Sequence, residues 1–158
     1  MTIYHGSNVV VEKPEILKSE RMLDFGTGFY TTSNKKQAIR WAEIVAERRE
    51  IKKRVISTYE FDLETAEREL FIVKFSEPND EWFDFICKNR IGHIYEKPYD
   101  IVFGPVANDK VYAVVQFYER GIYDKEEAIK RLKIEKLYNQ ILFHTEKSLK
   151  YIRFIKFE

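Results

Sequence analysis

Two short stretches carry residue types that could handle a substrate. The first is Tyr4-His5-Gly6-Ser7, which sets an imidazole, a bare backbone and a hydroxyl side by side. An imidazole there can donate to a ribose hydroxyl, and a glycine can pair its backbone with an amide without a side chain intervening. The second is Asp24-Phe25-Gly26-Thr27-Gly28-Phe29-Tyr30-Thr31-Thr32. Its glycines allow positive φ or close approach, so a tight loop entering a strand is expected. Side chains alternate along a strand, which sends Phe29 and Tyr30 to opposite faces. One ring can then pack in a core while the other stands over a ligand. Taken alone, the stretch reads as a hairpin bend with two core aromatics.

Several other chemistries find no support. His5, His93 and His144 are far apart in sequence, and none has a His-x-x-x-His partner or a carboxylate at metal spacing, so no metal site is expected. Gly26-Thr27-Gly28 lacks a third glycine at dinucleotide-fingerprint spacing and a following Gly-Lys pair, which argues against a Rossmann loop and a P-loop. Cys87 is the single cysteine, so an internal disulfide is impossible, and beside Ile86 on the apolar side of a helix it reads as core.

The elements that would position these residues follow from pattern. Thr2 to His5 reads as a short strand, and Lys13-Pro14 as part of an irregular connection. Asn34 with Gln37 resembles a capping box, and Ala38, Trp41, Ala42 and Val45 predict an amphipathic helix from Lys35 to about Arg49. Lys52-Lys53-Arg54 reads as a solvated basic turn. Val55 to Phe61 predicts a strand, and Leu70-Phe71-Ile72-Val73 a central strand buried on both faces. Pro78-Asn79-Asp80 opens a helix carrying Trp82, Phe85 and Ile86, which Gly92 ends. Tyr99 to Phe103 is a further strand, closed by Gly104-Pro105. Val111 to Tyr118 fits both periods and is assigned to a helix ending before Gly121. Asp124 and Glu127 cap another helix to about Lys133. Tyr138 to His144 and Tyr151 to Phe157 read as two late strands around a short turn containing Glu146-Lys147. Strands and helices without strict alternation predict an α+β fold in one domain.

Composition bounds the partners. The 158 residues suit one core, and an aromatic share of 15% argues for a packed globular chain. Basic residues (27) nearly cancel acidic ones (26), so net charge gives no global reason to expect nucleic acid or membrane. The chain from Arg120 onward is richer in lysine and arginine and reads as a solvated helical face. The N-terminus shows neither a basic n-region nor an apolar h-region, and no apolar run approaches a membrane span. A soluble, cytoplasmic protein is expected.

The two stretches together carry a resemblance. His5-Gly6-Ser7 ending a first strand, then Gly28-Phe29-Tyr30-Thr31-Thr32 before a helix with Gln37, Ala38 and Trp41, resembles the ADP-ribosyltransferases of the histidine–tyrosine–glutamate class. More narrowly, the chain resembles a bacterial family catalogued as a domain of unknown function. That narrower likeness extends to Trp82 with Phe85-Ile86 and Asn89-Arg90. It continues through Tyr99-Asp100-Ile101-Val102, Gly104-Pro105-Val106-Ala107, and Gln140 with Phe143 and Thr145.

The resemblance implies one domain over residues 1–158, with two antiparallel sheets forming a central cleft, flanking helices, and NAD bound in the cleft as substrate. His5 would bind an NAD ribose, Gly6 would hold the nicotinamide carboxamide through its backbone, and Tyr30 would stack on the nicotinamide ring. Ser7, Gly28 and Thr31 would line the same site. His5, Tyr30 and Gln140 would form the catalytic set, without a metal. The third position of the histidine–tyrosine–glutamate class is normally a glutamate, and here it falls on Gln140. Glutamine keeps a hydrogen bond to the 2′-hydroxyl but supplies neither charge nor base. Glu146 and Asp100 are candidate bases, each with a structural role as the better reading. The activity implied is transfer of ADP-ribose from NAD to a macromolecule, by a bacterial toxin or effector with a small antitoxin as partner.

Two other readings stand beside it. A metal-independent endoribonuclease toxin would use His5 or His144 as acid and base, with Arg90 or the basic C-terminal residues on phosphate. A catalytically inactive module would keep the fold and bind NAD or another nucleotide, which glutamine in the third position would suit.

Overall fold

The computed structural model describes residues 1–18, 23–92, 98–107, 110–132 and 139–158. In chain order the elements are β1 (Thr2–Ser7), β2 (Phe29–Thr31), α1 (Lys35–Arg48), β3 (Val55–Phe61), α2 (Leu63–Glu69), β4 (Ile72–Lys74) and α3 (Asp80–Arg90). These are followed by β5 (Ile101–Pro105), α4 (Val111–Glu119), α5 (Lys125–Leu132), β6 (Asn139–Phe143), α6 (Glu146–Leu149) and β7 (Ile152–Phe157). The expected strand start at Tyr138, helix end at Lys133, and His93 lie outside the described residues.

Two sheets form, with strand orders β1-β3-β7 and β2-β6-β5-β4. The first is antiparallel throughout. The second is mixed, not antiparallel as expected, because β4 and β5 run parallel. The cause is α3, which lies between them in sequence and returns the chain to the end where β4 began. Among the described residues one bridge joins the sheets: Tyr4 N–H donates to the Thr32 carbonyl at 2.8 Å, and Thr32 N–H to the Tyr4 carbonyl at 3.0 Å.

The inward faces of the sheets meet in an aromatic core rather than an open cleft. Ile3, Phe29, Tyr59, Phe61, Ile141 and Phe143 are buried there, with Ala66 of α2. The other face of the mixed sheet is covered by α3, α4 and α5 through Trp82, Phe85, Val114 and Leu132, packed with Phe25 and Leu142. On the first sheet, α1 lies over Tyr4 and Ile56 through Ala38 and Ala42. Small residues at this spacing let the helix sit directly on the backbone of Gly6, where a Cβ would run into the Ala38 carbonyl and lie 2.9 Å from the Ala42 nitrogen.

Three further expectations are corrected, and α2 is a helix that the sequence pattern did not announce. Residues 70–73 do not form a central strand; β4 is an edge, and Phe71 is 53% exposed. The segment after Phe61 turns into α2, whose N-cap Asp62 accepts the Thr65 N–H. The turn around Glu146 is a helical turn capped by Thr145. Trp41 does not join the buried face of α1, which Ala38, Ala42 and Ala46 make without it. No described helix is long and apolar enough to cross a membrane.

Candidate functional site

The site is organised where β1 and β2 part. Tyr4 and Thr32 share a face across their bridge, so alternation places Gly6 and Tyr30 on that face too. The β2–β6 register sets Tyr30 opposite Leu142 and Thr31 opposite Ile141; continued by one residue it sets Thr32 opposite Gln140. Gly6, Tyr30 and Gln140 therefore look to one side of the joined strands. That side also carries Gly104, opposite Gln140 on β5, whose Cβ would meet the Phe25 ring at 2.7 Å.

His5 belongs to the other face. Its ring lies 4.6 Å from that of Phe29, in the core between the sheets. Its Nδ1 nevertheless reaches the Tyr30 carbonyl at 2.7 Å. A carbonyl only accepts, so Nδ1 carries the proton and a neutral ring keeps its lone pair on Nε2. Burial holds the imidazole below its ordinary value, opposed by the bond to Tyr30. The ring is thus neutral at pH 7 and would accept from a ribose hydroxyl, the reverse of the donation expected from sequence. In a continued antiparallel ladder the Tyr30 carbonyl would pair with the Gly6 N–H; His5 takes it, and the ladder ends there.

Tyr30 is fixed from the glycine loop. Its hydroxyl donates to the Gly26 carbonyl at 2.7 Å and accepts from the Phe25 N–H at 3.2 Å. Burial, with Asp24 nearby, pushes its phenol up, so it stays protonated. Two rings that the sequence did not single out for this purpose hold the rest of the loop. Tyr99 donates to the Phe25 carbonyl at 3.1 Å, and His144 Nδ1 to the Thr27 carbonyl at 2.6 Å, the two rings stacked 4.4 Å apart. Gly26 has a φ of +86°, which favours glycine. A Cβ at Gly28 would run into the Phe143 carbonyl. Asp24 and Arg90 close the base of the loop with a largely buried ion pair at 2.7 Å. Burial raises the Asp24 carboxyl, and Arg90 opposes the rise.

Two buried polar side-chain atoms lack a partner among the described residues, Thr58 Oγ1 on β3 and Gln140 Nε2 at the candidate site. Gln140 is itself 91% buried. Buried polar groups are nearly always paired, and an orphan marks a group kept for a ligand or for water. The neighbouring polar groups pair with one another: Thr32 donates to Gln37 at 2.9 Å, and Ser33 to Asn139 at 2.9 Å.

The remaining sequence candidates fall as follows. Ser7 ends β1, opposite Val55. Thr31 turns away from Tyr30 and donates its hydroxyl to the Ile141 carbonyl at 3.0 Å. Asp100 is structural, accepting from Thr145 at 2.7 Å and from the Phe71 N–H at 3.0 Å. Glu146 accepts from the Ile16 N–H at 3.3 Å. Cys87 is buried, its thiol pushed up to about 12 by that burial.

A family profile described as "Protein of unknown function (DUF3990)" matches residues 1–154. The chain belongs to that family. Searches of curated proteins and of solved structures each return no match. In this DUF3990 chain the match covers every element from β1 to α6, including the glycine loop, Gly6 and Gln140, and ends within β7.

Proposed function

We propose that this protein is an ADP-ribosyltransferase that takes NAD at the strand edge where β1 and β2 part, between the Gly6 backbone, Tyr30 and Gln140. The observation that carries the reading is the orphaned amide of Gln140, set on the same face as a glycine whose ladder has been interrupted by His5. Gly6 offers its backbone to the nicotinamide carboxamide. Tyr30, locked by its hydroxyl, offers a ring to stack. The Gln140 amide meets the 2′-hydroxyl of the nicotinamide ribose, and His5 Nε2 accepts from a ribose hydroxyl at the edge of the site.

In the reaction the bond between the anomeric carbon and the pyridinium nitrogen breaks, and its electron pair leaves with nicotinamide as a neutral molecule. A lone pair of the acceptor forms the new bond, and the acceptor's proton passes to solvent. Gln140 brings no negative charge to the oxocarbenium-like transition state, so the acceptor is one that needs little activation. The likeness in sequence also favours a toxin or effector with a small antitoxin partner. The nuclease reading loses ground because Arg90 is committed to Asp24.

Calorimetry with NAD tests the site. The wild-type protein binds NAD, and Gln140→Met weakens binding more than tenfold while keeping the fold. Equal affinity in the two proteins removes Gln140 from the site.

A further inference from the structure

The acceptor's chemistry can be read from the surface beside the site. Residues 35–54 hold eight basic and three acidic residues in a chain whose net charge is only +1, so the remainder is net negative. Part of that charge is neutralised, by Lys35 with Glu158 and by Arg54 with Glu43. Lys36, Arg40, Arg48, Lys52 and Lys53 are exposed and have no ion-pair partner among the described residues. Amid them Trp41 is 46% exposed, with the Arg48 guanidinium 5.7 Å from its ring centroid.

Position ties this patch to the site. Gln37, Trp41 and Arg48 fall on one flank of α1 by helical spacing. Gln37 accepts from Thr32, the residue opposite Gln140 in the continued register. The flank therefore begins at the edge of the candidate site and runs outward to the basic loop 49–54.

We infer that this flank binds single-stranded nucleic acid, with a base stacked on Trp41 and phosphates tracked by Arg40, Arg48, Lys52 and Lys53. An exposed indole among unpaired cations fits a strand with free base faces and a charged backbone. A duplex hides its base faces, and an acidic peptide has none to stack. The inference deepens the transferase reading by naming its acceptor as single-stranded nucleic acid, and it rests on that reading only for the transfer step.

The test needs no NAD. A fluorescein-labelled 15-nucleotide oligouridylate is titrated with the full chain at 50 mM salt, beside an abasic strand of equal length and heparin. Trp41 and Trp82 are the only tryptophans, and Trp82 is fully buried, so strand binding should quench the exposed indole selectively. Trp41→Ala should weaken binding about tenfold and abolish the quench. The double change Lys52→Gln and Lys53→Gln should lower the slope of log affinity against log salt by about 1.4. Circular dichroism of each variant checks the fold. The inference is overturned if the oligouridylate does not bind, or if abasic strand and heparin bind as well and Trp41→Ala changes nothing. A protein that releases nicotinamide from NAD but ignores the strand fails this inference alone; one that binds the strand but never cleaves NAD fails the transferase reading.

Discussion

Replacing Gln140 with methionine should stabilise the protein and disable it at once. The side chains are close in length and volume, so the change removes the amide without opening a cavity. The Nε2 group is buried with no partner among the described residues, and an unpaired buried polar group costs about 1–3 kcal/mol. Taking the low end of that range, relief is worth about 1 kcal/mol. For a chain of this size that raises the Tm by about 2–4 °C. The assay is a thermal melt by circular dichroism, without and with NAD. Wild-type protein should melt higher with NAD, while Gln140→Met should melt higher without it and gain nothing from it. A fall of several degrees in Gln140→Met would show that the amide is satisfied in the folded chain, and the argument for a ligand at that atom would collapse.

Three further outcomes follow from the same geometry. Gly6→Ala should cost about 1–3 kcal/mol by forcing α1 off β1, read as a lowered urea midpoint. Arg90→Met should cost about 3 kcal/mol at pH 7, because it strands a buried Asp24 carboxylate, and less as pH falls, because burial favours the protonated carboxyl; denaturant titrations at neutral and acidic pH check both. His5 is held below its ordinary value of 6.5, so below that pH the unfolded chain binds a proton that the folded chain resists. Stability is therefore full above pH 6.5 and falls as pH drops toward the lowered folded value. His5→Gln should show a shallower loss of unfolding free energy between pH 7 and 5, and an unchanged slope would mean the ring is not held neutral.

What could be read from sequence divides along a physical line. Elements set by local pattern were legible: the Asn34 cap before α1, the β-branched run of β3, and Gly92 and Gly121 past the ends of α3 and α4, both at positive φ. The opposite facing of Phe29 and Tyr30 also followed from alternation alone. Features set by neighbours were not legible. The apolar run at 70–73 looks central, but strand order, which no local pattern encodes, puts β4 at an edge. Trp41 matched the helical period, yet the close approach at Gly6 admits only alanines on that face. At the candidate site, His5, Gly6, Tyr30 and Gln140 are named by motif resemblance. That His5 sits on the opposite face and reaches across to the Tyr30 carbonyl depends on how two sheets part. The clamp by Tyr99 and His144 joins residues more than 70 positions from the loop they hold, and no spacing in the sequence announces it.

The most direct test of the central claim is release of nicotinamide from nicotinamide-labelled NAD by the purified chain, with single-stranded RNA supplied as acceptor and Gln140→Met and His5→Ala run beside it. The account predicts release by the wild-type protein, transfer of ADP-ribose to the RNA, and loss of both in each variant. Wild-type protein that binds the RNA and leaves NAD intact, or variants that cleave NAD as fast as wild type, would contradict it.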